Sequence, residues 1–345
     1  MANANKNRYC LTSAIKLYQR ALTIDPNYVE AAHNLGLSYL ANKQFDRCFH
    51  FLEYRWGLPK RSQLAYDGNI PLWGGERDST VIVWREQGIG DEILYSSLFL
   101  EAFDRCNYLT IQCDQRLTEL FRRSFPEAIN FVDDSIQFRE NEFKHQIPIA
   151  SLPALFRKDI NCFSGKSNGW LKANLLKVND FREKLASENF QRVVGLSWRT
   201  FSKIEGSSER CIGLAQIAGL LDNFNFRIVN LQYGNVCAEI TQLKKKQKIE
   251  LFQIDGLDIY NDIDSLAAAV CACDFVVTID NSTAHLAGAL GVDCHLLLPK
   301  VCDDRWGYSD ELSYWYSSMR LYRQEKIGDW EHPLHHLKKR IQATL

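Results

Sequence analysis

Apolar residues recur along this chain with two distinct periods. Up to residue 52 they fall three and four apart: Ala14, Tyr18 and Ala21 share one face, Ala32, Leu35, Gly36 and Tyr39 a second, Cys48 and Leu52 a third. Such spacing predicts helices. Asp25-Pro26 ends the first, since proline lacks the amide hydrogen a helix interior requires, and the third begins near Gln44-Phe45. From residue 80 the pattern changes to short, β-branched apolar runs, predicting strands at 80–84, 108–113, 129–132 and 146–152, with helices at 93–104 and 116–124 between them. A second series predicts strands at 192–198, 226–232, 250–253, 275–279 and 294–298, with helices at 213–221, 236–246 and 265–273 and another opening at Ser282. Strands alternating with helices argue for parallel sheets. Residues 59–75, rich in turn formers, read as a linker, and the polar stretches 158–169 and 177–189 separate the two series. The last segment, 334–345, is amphipathic and reads as a helix.

The leader carries an internal repeat. Ala14 aligns with Cys48, Tyr18 with Leu52 and Ala21 with Arg55 at one offset, which is the tetratricopeptide period of roughly 34 residues. Leu35-Gly36-x-x-Tyr39, the small Ala14 and Pro26 fit that motif. About one and a half repeats are present where about three are usually needed for a stable stack, so the leader must lean on the following domain or on another protein. The expected division is 1–58 repeat-like helices, 76–180 a first Rossmann-like domain, 190–330 a second, and 331–345 a terminal helix.

Two turns carry candidate chemistry. The buried-strand pattern Phe275-Val276-Val277-Thr278-Ile279 runs into Asp280-Asn281-Ser282-Thr283-Ala284-His285-Leu286-Ala287-Gly288. A strand feeding a helix start rich in Asp, Asn, Ser and Thr offers free N–H groups to an anion, so the segment either binds a phosphorylated ligand or is an ordinary capped helix. The other turn, Glu86-Gln87-Gly88-Ile89-Gly90-Asp91-Glu92, follows the strand at 80–84.

Composition narrows the field. The net charge of −1 lacks the basic excess of a general nucleic-acid binder. Eleven cysteines without framework spacing read as reduced thiols in a cytoplasmic protein, and Cys271-x-Cys273 is not zinc-knuckle spacing. The polar start, 1–10, lacks a signal core, and no run reaches membrane-spanning length, leaving peripheral contact with an inner membrane open. Asp262-x-Asp264 precedes a helix, where Asp is a normal cap, and adjacent His335-His336 face different sides of a helix; no metal is expected at either.

Together, Gly88-Ile89-Gly90-Asp91, the Asp280–Gly291 segment and a tail of Trp306, Trp315-Tyr316-x-Ser318-Met319-Arg320 and Gly328-Asp329-Trp330 resemble GT-B glycosyltransferases of the heptosyltransferase-like type, in the form fused to tetratricopeptide repeats. More distantly, the layout is similar to protein O-linked N-acetylglucosamine transferases. The resemblance covers most of the chain. It implies an α/β fold of two doubly wound Rossmann-like domains facing a cleft, and inverting, metal-independent transfer from a nucleotide sugar to a glycan, lipid-linked or protein hydroxyl. No cofactor beyond the donor is implied. It assigns Asp91 as catalytic base within the glycine turn of Gly88 and Gly90, with Glu92 and Glu86 as weaker candidates; the alternative role of Asp91 is to cap its helix. Ser197, Arg199, Arg210, Asn281, Ser282, Thr283 and His285 are the donor-phosphate candidates, with Lys203 a further cation. Asp280, which would repel phosphate, is expected to cap the helix or bind loop N–H groups. Gln232 and Tyr233 are candidates for the nucleotide side. His285 reads equally as a structural group, and Tyr233, an aromatic at a strand end, has packing as its usual role. Two rival readings stand beside the enzyme: a non-catalytic interaction protein whose repeat helices recruit a partner, and a nucleotide-sugar epimerase of the same layout.

Overall fold

The computed structural model describes residues 10–59, 66, 68–133, 140–163, 169–201 and 207–345. Lys203 and most of the polar start lie outside the described residues. The chain forms two compact units: one made of residues 1–115, 127–165 and 303–310, the other of 116–126, 166–302 and 311–345.

The first unit opens with three helices, α1 (Leu11–Ile24), α2 (Val29–Ala41) and α3 (Phe45–Leu52). Ala14, Tyr18, Ala32, Leu35, Tyr39 and Cys48 are buried among them. Gly36 lets α2 and α3 touch, because a Cβ there would lie 2.9 Å from that of Phe51. After α3 the chain tightens into a 3-10 turn, Glu53–Gly57, and repeat geometry stops. At the position equivalent to Ala21 stands Arg55, 5 % exposed, whose fork grips Glu86 at 2.8 and 2.9 Å and Ser151 Oγ at 2.7 Å. The leader thus leans on its own unit.

Strands β1 (Thr80–Trp84), β2 (Tyr108–Cys113), β3 (Asn130–Asp133) and β4 (His145–Pro148) form a parallel sheet in the order β3-β2-β1-β4. The β1 side chains beyond Thr80 are buried, as a strand covered on both faces requires. The helix expected at 93–104 begins earlier: α4 (Ile89–Tyr95) gives way to a 3-10 turn at Ser96–Leu98 and then to α5 (Phe99–Phe103). The expected linker is partly structural, since Leu72 bridges to Gln146 beside β4 and Trp73 is 1 % exposed.

In the second unit β5 (Val193–Leu196), β6 (Arg227–Asn230), β7 (Phe275–Ile279), β8 (Cys294–Leu298) and β9 (Met319–Arg323) form a parallel sheet in the order β6-β5-β7-β8-β9. Residues 250–253 contribute one bridge, Phe252 to Val229, rather than the expected strand. Three elements were not anticipated: β9, a helix at Leu175–Leu185, and a helix at Leu152–Phe156 that follows β4, which ends at Pro148 where a strand was expected to run to 152. The helices α9 (Leu214–Asp222), α10 (Cys237–Gln247), α11 (Ile263–Ala272), α12 (Ser282–Ala289) and α13 (Glu331–Gln342) complete the series, counting α6 (Thr118–Ser124), α7 (Leu152–Phe156) and α8 (Leu175–Leu185) before them. All eleven cysteines are free thiols.

Candidate functional site

In doubly wound sheets ligands bind at the carboxyl edge, where the strand order reverses. In the second unit that point lies between β5 and β7, and the residues flagged there form one network. Gln232 Oε1 accepts from Ser197 Oγ at 3.1 Å and from the Trp198 and Arg199 amides at 2.8 Å each. Asn281 caps α12 by accepting from the Ala284 amide at 3.3 Å, and its Nδ2 donates to Ser197 Oγ at 2.8 Å. Ser197, Gln232 and Asn281 are buried, so these bonds are strong and lock the two strand ends together.

Charge is arranged around that frame. Arg210 Nη1 lies 3.0 Å from Asp280 Oδ2, with the arginine 28 % exposed and the carboxylate 5 %. Asp280 therefore anchors Arg210, while the cap belongs to Asn281. Arg199 is committed elsewhere: it pairs with Glu239, which also accepts from Trp198 Nε1 at 2.8 Å, and lies over the Phe201 ring. Ser282 begins α12 and is half-buried. Thr283 Oγ1 is buried without a hydrogen-bond partner among the described residues. His285 is buried, with its Nδ1 2.7 Å from the Tyr316 hydroxyl, and Tyr316 stacks on Trp170. That placement engages Nδ1 of His285 with Tyr316.

Beyond the end of β6 opens a cavity of about 570 Å³, lined by Asn230, Gln232, Tyr233, Gly256, Asp258 and Tyr260 among others. Tyr233 is steadied by Thr200 Oγ1 at 3.2 Å and by the Phe201 ring, centroids 5.7 Å apart. Gly234, at φ +84°, sits against Phe201 where a side chain would collide. The volume suits a small organic ligand. Tyr260 is a lining residue that no sequence motif marked.

The first unit holds the other turn. Gly88 has φ −85° and Gly90 is helical, so neither glycine is required by backbone conformation. Asp91 sits in the first turn of α4 and does cap it, Oδ2 accepting from the Gly88 amide at 3.3 Å, while Oδ1 takes Arg305 Nη1 at 2.7 Å; its side chain is 19 % exposed. Glu86 and Glu92 have fully enclosed side chains. Glu86 takes Arg55 and the Ala150 amide at 3.1 Å; Glu92 takes Arg85 Nε and the Asp114 amide, both at 2.8 Å. Of the three acids only Asp91 keeps a route to solvent. Arg305, 214 residues away in sequence, is the partner that local patterning could not reveal.

Burial pushes Glu92 up to about 7 against the pull of Arg85. The folded state then binds this proton more tightly than the unfolded chain, so the contribution of Glu92 to stability falls as pH rises from about 4.5 to about 7. His295, buried against Tyr322 in the second unit, is pushed down to about 4 by burial despite Asp293, and its contribution falls as pH drops from about 6.5 to about 4. Urea unfolding across this range should give stability differences from wild type of opposite pH slope for Glu92→Gln and His295→Gln. Parallel slopes would refute the assignment.

Asp262 caps α11 through the Ser265 amide at 2.8 Å, and Asp264 is held by Arg123 and by Lys177 Nζ at 3.0 Å. Among the described residues no cluster of His, Cys, Asp and Glu is arranged to hold a metal, and no helix is long and apolar enough to cross a membrane.

Comparison with known proteins agrees with this architecture. A TPR repeat model matches residues 11–43. Protein FlbA of Caulobacter vibrioides is 28% identical over 278 residues, 75% of this chain and 46% of FlbA, so the match spans about half the length of that relative. The solved structure of a glycosyl transferase family 9 protein from Veillonella parvula superposes with a TM-score of 0.52 at 12% identity, covering 78% of this chain and 96% of the other. ADP-heptose LPS heptosyltransferase II of E. coli gives 0.52 at 12% identity, covering 76% and 98%. These likenesses establish a shared fold.

Proposed function

We propose that this chain is a GT-B glycosyltransferase that moves a sugar from a nucleotide-sugar donor, held by the second unit, to a hydroxyl of a glycan, lipid-linked sugar or protein, with Asp91 of the first unit as general base. The observation that carries the donor assignment is the Arg210–Asp280 pair beside the start of α12, at the β5/β7 switch point, where Ser197 bonds to Gln232, a residue that also lines the cavity beyond β6. Asp91 takes the acceptor proton and the acceptor oxygen bonds to the anomeric carbon. The sugar–diphosphate bond breaks with its electron pair on the departing diphosphate. Arg210, the Ser282 hydroxyl and the free N–H groups of α12 receive that charge, so the reading requires no metal. A single displacement inverts the anomeric centre. Tyr233 and Tyr260 flank the nucleoside.

Calorimetry with ADP, GDP and UDP tests the donor side. One of them should bind, Arg210→Met should weaken it at least about tenfold, a loss typical of a charge-assisted contact, and the parent nucleoside should bind both proteins alike. Absence of binding to all three, or equal affinity in the variant, would overturn the assignment. The rival reading, an interaction protein with a remnant fold, draws on the repeat helices, where Ile24 and Tyr28 are exposed, and expects no turnover with any donor.

A further inference from the structure

The segment Asp303–Asp310 follows β8 and precedes β9, yet it belongs to the first unit. It is firmly seated there. Trp306 is 1 % exposed, the 3-10 turn Asp304–Trp306 packs against α2, and Lys43, just past the end of α2, pairs with Asp310. Asp303 Oδ1 caps the turn through the Arg305 amide at 3.1 Å and also accepts from Arg305 Nε at 2.9 Å. Arg305 is thus held on one side by Asp303, while its Nη1 reaches Asp91 at 2.7 Å. Burial opposes the guanidinium charge, but Asp303 and Asp91 outweigh it, so Arg305 stays charged.

We propose that Arg305 is the positioning residue for the Asp91 carboxylate, its guanidinium fixing one oxygen while the Gly88 amide holds the other. This rests on the reading of Asp91 as the base. The long Gly88 contact alone leaves the carboxylate plane free to turn, and two anchors on different oxygens remove that freedom. Each oxygen keeps a lone pair for an incoming hydroxyl. The repeat helices acquire a part in the chemistry, because the segment that carries Arg305 rests on α2.

Two measurements test it. The first needs no substrate: hydrogen exchange of the amides from Gly88 to Glu92 should speed up at least about tenfold in Arg305→Met, with peptides of β2 and β3 unchanged and the fold intact by circular dichroism. Arg305→Lys, which keeps a cation but not the fork, should fall between. Unchanged exchange at Gly88–Glu92 would overturn the proposal. The second follows nucleoside diphosphate release from ADP-glucose, GDP-mannose and UDP-N-acetylglucosamine. On whichever turns over, Arg305→Met should lower kcat about ten- to a hundredfold with KM unchanged. Adding it to Asp91→Asn should cost nothing further, because the two act as a unit. Additive losses would refute the positioning role while leaving Asp91 as base. Full turnover in Asp91→Asn alone would remove the base reading itself.

Discussion

Asp91→Asn is expected to slow transfer about 10²- to 10⁴-fold, the range associated with loss of a general base, while nucleoside diphosphate affinity stays at the wild-type value. Asparagine matches the volume of aspartate and its side-chain oxygen still caps Gly88, so α4 keeps its start. What disappears is the negative charge facing Arg305 and the capacity to take a proton. The other acids of the turn cannot substitute, since Glu86 and Glu92 have fully enclosed side chains committed to Arg55 and to Arg85. Donor affinity is the control because the residues assigned to diphosphate belong to the second unit. Steady-state rates and calorimetry on one preparation decide the matter: an unchanged rate removes Asp91 from the mechanism, and a parallel loss of affinity shows general damage instead.

Patterning exposed what depends on near neighbours along the chain. β7 and β8 are runs buried at every position, and both were bounded to the residue by composition. Ser197 and Asn281 were marked by the family resemblance and Gln232 by its place after a strand, and the bonds among them follow from tertiary structure, where the carboxyl ends of adjacent strands meet. Elements of mixed polarity escaped. β9 reads Met-Arg-Leu-Tyr-Arg because it lies at the edge of the sheet, paired with β8 along its length and bridged on its other side at Arg320 by Leu312, and its arginines are half-buried. α8 carries Val178, Phe181 and Leu185 on one buried face, but exposed Leu175 and Leu176 and its many charges blur the period. Charged pairs escaped altogether. Arg199 reads like any strand-end arginine until Glu239 of α10 meets it, and Arg305 like any surface arginine until it meets Asp91. Those partners are set by tertiary packing, which leaves no local trace.

The same reasoning governs the leader. Removing the Arg55 fork by Arg55→Met is expected to destabilise the first unit by about 3–5 kcal/mol, the usual cost of breaking a buried ion pair from one side. Glu86, its side chain fully enclosed, would lose both guanidinium bonds, and burial of a carboxylate without its counter-charge is the source of the penalty. The melting transition of that unit should drop on the order of 10 °C. Arg55→Met combined with Glu86→Leu should recover much of the loss, because an apolar pair of similar volume removes the desolvation cost along with the attraction. Ser151 and Glu53 share the network, so the recovery should be incomplete. Differential scanning calorimetry of the three proteins reads this out. A single variant melting within about 2 °C of wild type would mean that water reaches Glu86, and that the repeat helices are an appendage. A steep loss with partial recovery makes them a structural wall of the unit that carries Asp91, so a variant lacking residues 1–58 should lose both its fold and its turnover.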